Sequence, residues 1–125
     1  MQIDISTGEL VDKVSILKIK SRKIQDPKKL KNIHKELQLL SRKMESAGIT
    51  FESPEYQHLE NINQALWDIE DRIRTKEAEK VFDEEFIQLA RSVYFKNDER
   101  AALKRNINVS SGSDLVEEKS YASYR

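Results

Sequence analysis

The sequence predicts an all-α protein: a four-helix bundle-like domain with a long antiparallel hairpin of helices two and three, and a short C-terminal tail. Three observations point there. The 125 residues include only three glycines and two prolines, too few for the tight turns of a sheet protein. Charged residues make up 35% of the chain and apolar ones 38%, the mixture found in amphipathic helices around one modest core. Apolar side chains also recur at steps of three and four residues over most of the length. One domain over residues 1–109 accounts for these features, with a flexible break and tail over 110–125.

Each helix has its own punctuation. Ser6-Thr7-Gly8-Glu9 has the spacing of a capping box, so the first helix spans about 6–25. Its apolar residues fall on two sides: Leu10, Val14, Leu17 and Ile24 form one stripe, and Ile16 and Ile19 begin another. Between them runs a charged line of Glu9, Lys13 and Lys20. Such a helix is sandwiched between neighbours with its charges paired, or its lysines snorkel to water. Asp26-Pro27 stops it and starts the second helix, 27–47, which ends at Gly48. Ser53-Pro54 opens the third, 54–80, with Ser53 as the N-cap and proline at the first position. The second helix carries Leu30, Ile33, Leu37, Leu40 and Met44, and the third Leu59, Ile62, Leu66, Ile69 and Ile73, both spaced 3-4-3-4. Two such stripes joined by a short loop predict coiled-coil-like packing against each other. Asp83, followed by Glu84 and Glu85, caps the fourth helix, 84–108. Ser110-Ser111-Gly112-Ser113-Asp114 reads as the break.

The fourth helix poses the chemical question. Phe86, Leu89, Ala90 and Val93 share one face, and that face continues as Asn97, Arg100, Lys104 and Asn108. A cationic, amide-bearing strip in a core-facing position needs a partner, because an unpaired buried charge is very costly. The partner is an internal carboxylate, such as Glu70 or the tail's Glu117 and Glu118, or an external anion. Trp67 lies off the third helix's stripe, on a flank with Tyr56, Asn63, Glu70 and Arg74. It packs against another helix or, with Glu70 and Arg74, lines a groove beside the strip. Guanidinium forks, an amide and an aromatic wall are what anion recognition requires. Glu9 and Lys13 complete the candidate cluster. In the tail, Glu117 and Glu118 have Arg100, Lys104 and Arg105 as docking partners, with Tyr121 and Tyr124 as anchors; the other possibility is a disordered terminus.

The formal net charge of zero hides strong segregation. Lys13 to Lys43 holds eleven Lys or Arg and two acids, a net of +9, and Glu45 to Gln88 is net −8. Mutual neutralisation within the fold is the simpler reading; nucleic-acid binding through residues 13–43 is the other.

Much chemistry is excluded. Without cysteine there is no disulfide, thiolate ligand or cysteine nucleophile. The three glycines are too scattered to cradle a phosphate, and His34 and His58 lack ligand spacing, so no metal and no cofactor are expected. No Gly-x-Ser-x-Gly elbow occurs. The carboxylates of Trp67-Asp68-Ile69-Glu70-Asp71 read as a solvated face, with Glu70 beside the core stripe. Neither a secretory leader nor a membrane span is evident, which suggests a soluble, cytoplasmic protein.

Several segments carry a resemblance: Ser6-Thr-Gly-Glu-Leu-Val-Asp-Lys13 with Ile16-Leu-Lys-Ile-Lys20, Trp67-Asp-Ile-Glu-Asp71, Leu89-Ala-Arg-Ser-Val-Tyr94, Asn97-Asp98, Arg100-Ala-Ala-Leu-Lys-Arg105 and Glu117-Glu-Lys-Ser-Tyr121. In this order, over nearly the whole chain, they resemble a family of small bacterial helical proteins known only as a domain of unknown function. The resemblance implies an encoding neighbourhood of glycosyltransferase and surface-polysaccharide genes. It also singles out Glu9, Asp12, Lys13, Lys20, Trp67, Glu70, Arg91, Tyr94, Asn97, Asp98, Arg100, Lys104, Lys119 and Tyr121. A looser similarity, without a contiguous motif, is to the all-helical chorismate mutases, for which Lys13, Glu70, Arg91, Arg100 and Lys104 would supply the charged groups.

The sequence thus favours a non-enzymatic helical interaction or accessory module, with a protein partner or a homo-oligomer. The alternatives are a small enzyme or sensor for an anionic metabolite, and a nucleic-acid binder.

Overall fold

The computed structural model describes residues 3–112, and among them it contains four helices and no strand. They are α1 (Thr7–Lys23), α2 (Pro27–Ser46), α3 (Pro54–Glu79) and α4 (Glu84–Ser111). Three starts are set by side-chain caps. Ser6 Oγ accepts from the Glu9 N–H (3.1 Å), Asp26 from Lys28 (3.0 Å) and Asp83 from Phe86 (2.9 Å). Ser53 precedes α3 without capping it; its hydroxyl accepts from the Thr50 N–H and shapes the loop instead (2.9 Å). After α2, Gly48 turns into the left-handed region at φ +87°, where a side chain would be strained. The Ile49 N–H then returns to the Met44 carbonyl (3.2 Å), which seats Ile49 in the core.

The helices meet as α1 with each of the other three, and α3 with α4. The core gathers Val11 and Val14 of α1, Met44 of α2, Ile49, Tyr56 and Leu59 around the start of α3, and Ile107 of α4. One boundary and one contact differ from expectation. The fourth helix continues through Ser110 and Ser111 and ends at Gly112, φ +68°, so the break begins later than residue 110. A direct α2–α3 seam is not among the helix contacts. The physical reason lies in α1: with apolar residues on two sides it takes the α2 stripe on one side, while α3 packs on α1 and α4. The expected neutralisation is correspondingly partial. Arg22 with Glu60 (3.0 Å) and Lys23 with Asp68 (3.9 Å) join α1 to α3, but the α2 cations have no such acidic neighbour among the described residues. Residues 113–125 lie outside the described part, and with them the docking expected of Glu117, Glu118 and Tyr121.

Candidate functional site

The polar strip of α4 runs antiparallel along α1 and meets a complementary strip there. Gly8, Asp12, Ser15 and Ile19, spaced 4-3-4, are all buried on the α1 face turned to it. The Arg100 guanidinium forks onto Asp12: Nε donates to one carboxylate oxygen (2.9 Å) and Nη2 to the other (2.5 Å). Asn63 of α3 donates its amide to the same carboxylate (2.9 Å) and to Ser15 Oγ (2.7 Å), whose own proton goes to the Asp12 carbonyl (2.7 Å). Asp12 is only 1% exposed, so this fork and amide replace the water it has lost. One turn further, the Lys104 ammonium meets the Glu9 carboxylate (2.7 Å). Asn108, fully buried, accepts from the Gly8 N–H at 2.6 Å.

Internal carboxylates therefore satisfy the strip, but they are Asp12 and Glu9 rather than Glu70. Glu70 instead lies near Arg74 at 3.8 Å, on the same helix. Lys13 is exposed and stands apart from the cluster, because the 100° step from Asp12 carries it to the solvent side of α1. His34 and His58 are exposed and separate, and no group of His, Cys, Asp and Glu that could hold a metal occurs among the described residues.

Beside the strip opens a groove of about 660 Å³ between α1, α3 and α4. Its apolar lining comes from Ile16, Ile19, Leu66, Trp67 and Val93, and its polar lining from Asn63, Glu70, Asp71, Arg74, Asn97 and Arg100. Trp67 is half-buried on its wall, so it contributes to both packing and groove. Of the sequence candidates the groove unites Trp67, Glu70, Arg74, Asn97 and Arg100; Glu9, Lys104 and Asn108 lie along the helix contact beyond it. The Arg100 side chain is 28% exposed, with its fork buried on Asp12. Asp12 (outside the candidate set drawn from the residues themselves), Ser15, Asn63 and Gly8 complete the site. For Gly8, Asp12 and Ser15 the one legible signal was the 4-3 spacing of small and polar residues through α1, which apolar stripes do not display, whereas Asn63 was visible on the Trp67 flank.

Fold and site together define a small all-α protein with a charge-paired core and a groove of apolar residues rimmed by polar ones, of which Asn63 and Arg100 are held by Asp12. The chain belongs to a family of unknown function (DUF6165), whose model matches residues 1–124. No curated protein and no solved structure matches it. No helix among the described residues is long and apolar enough to cross a membrane.

Proposed function

We propose that this protein is a non-enzymatic helical binding module whose α1–α3–α4 groove holds a side chain or short segment of a partner protein, for which it acts as an accessory. The surface-polysaccharide setting implied by the resemblance is where such a partner would be sought. One observation carries the reading: Arg100 and Asn63 both donate to Asp12, so these two groups of the groove's polar wall are already oriented. Polar groups held in place beside a concave apolar surface lower the ordering cost of binding.

The test uses a photo-crosslinking residue at Leu66 in the groove and, as control, at His34 on α2. The expected result is a partner adduct from position 66 only, which disappears when Trp67→Ala is added. A strictly monomeric protein giving no adduct from position 66 overturns the reading. Trp67 is the single tryptophan, so its emission reports groove occupancy directly.

A second reading, capture of an anionic metabolite, is favoured by one observation, the juxtaposition of Asn97, Arg74 and Arg100 on the same wall. It ranks second because Glu70, Asp71 and Asp12 balance those cations. It predicts that a phosphorylated or carboxylated metabolite raises the melting temperature by mass action and that Asn97→Ala removes the rise. No shift across such a set counts against it.

A further inference from the structure

The fold keeps the basic helix α2 apart from the acidic ends of α3 and α4. Helix α2 carries Lys28, Lys29, Lys31, Lys35, Arg42 and Lys43 against Glu36 and Glu45, a net of +4. All six cations are exposed, and among the described residues none is in an ion pair. At 100° per residue, Lys28, Lys31, Lys35 and Arg42 project directly opposite the Ile33–Leu37–Leu40–Met44 stripe that packs on α1. They form a cationic ridge about 21 Å long, at 1.5 Å per residue. Leu39, 54% exposed, lies alongside it.

The complement lies on the same molecule but away from α2, which contacts α1 alone. Residues 68–90, the joined ends of α3 and α4, hold eight acids and four cations, a net of −4. From Glu77 to Gln88 every residue except Phe86 is exposed. Apolar surface is exposed there too: Val81, Phe82 at 57% and Ile87 at 47%, with Phe82 set edge-on against Phe86. Glu77, Glu79 and Glu84 surround it, exposed and in no ion pair among the described residues.

We propose that a second copy of this chain covers both surfaces, with α2 of each protomer docking on the α3–α4 end of its partner. Two equal and opposite patches on different faces of one molecule can both be satisfied by a twofold axis, which makes the contact twice. Doubling matters, because one helix face is small against the roughly 1,200–2,000 Å² that stable interfaces bury. Leu39 supplies the ridge's apolar contact for Phe82 and Ile87. A polyanion fits less well. The whole chain is neutral, which removes long-range attraction, and α2 has no aromatic side chain on which a base could stack. The proposal is independent of the groove, since none of the residues tested below lines it.

Charge exchange followed by sedimentation velocity tests it. The wild-type chain is a dimer at about 50 mM salt and dissociates toward monomer at about 500 mM, where screening is much shorter-ranged. Lys31→Glu with Lys35→Glu weakens the dimer by about tenfold or more, and Glu77→Lys with Glu79→Lys does the same. Mixing the two variants restores association as a heterodimer, and the chain carrying all four changes dimerises with itself. Wild-type monomer at low salt overturns the proposal, as does a dimer indifferent to both pairs or failure of the exchange to restore it. Low-salt retention of duplex DNA that Lys31→Glu with Lys35→Glu abolishes, without dimerisation, assigns the ridge to nucleic acid instead.

Discussion

Asp12 decides most of the residue-scale energetics. A carboxylate at 1% exposure survives in the core because Arg100 and Asn63 return the hydrogen bonds it gave up to water. Arg100→Met strands that charge, and chemical unfolding should register a loss of about 3–5 kcal/mol. Arg100→Lys should also lose much of it, since a point charge cannot make the two-pronged contact. Combining Arg100→Met with Asp12→Leu should recover most of the stability; a single-variant loss below about 1 kcal/mol would show the pair to be unimportant. Gly8 makes a different demand. A Cβ there would collide with the Lys104 carbonyl and come within 2.9 Å of the Asn108 side-chain oxygen. Backbone atoms cannot swing aside, so Gly8→Ala should separate α1 from α4 and cost about 1–3 kcal/mol, measured by urea denaturation. A neutral or stabilising change there would refute the close approach.

At the scale of elements, the turn between α3 and α4 is fastened by charge. Lys76, buried in its side chain, donates to both Asp83 oxygens (3.0 Å each) and lies 3.4 Å from Glu85, which also receives Arg72 at 2.8 Å. The Phe86 N–H, and then Lys76, hold the Asp83 carboxyl below its ordinary value. Arg72, and then Lys76, do the same for Glu85. The bond to Asp83 pushes Lys76 upward against the opposing effect of burial. A depressed carboxyl pKa contributes stability that is present above the unfolded value, about pH 4, and is lost as pH falls through the folded one. A raised lysine contributes below about pH 10.4 and loses its part only on the alkaline side. The turn is therefore firm across neutral pH and loosens in acid. Unfolding measured from pH 7 down to pH 2 should show the gap between wild type and Asp83→Ala narrowing below about pH 4. A gap independent of pH would mean that the cap acts without its charge.

Across the whole molecule, legibility follows the range of the interaction. Ser6, Asp26 and Asp83 announced three helix starts, because a cap is made within three residues of itself. Proline placed the α3 start even though Ser53 turned its hydroxyl to the loop. The α4 strip of Asn97, Arg100, Lys104 and Asn108 was visible as a fault in an apolar face, and Trp67, Glu70 and Arg74 were visible as a flank. What covers the strip was not visible, since a stripe on a helix carries no address for its partner. The regular α2 and α3 stripes fit each other on spacing and charge, yet α2 meets α1 and α3 meets α1 and α4.

The sequence by itself determined four helices, the caps of three of them and a polar strip in a core position, all consequences of neighbours within a turn or two, together with a divided charge. Only the tertiary structure decided that Asp12 and Glu9 receive the strip, that Gly8 lets α1 approach α4, and that α2 keeps its cations in water. Those outcomes depend on which helix occupies the centre. Burial of two apolar sides gave that place to α1, and no local pattern records the competition it won.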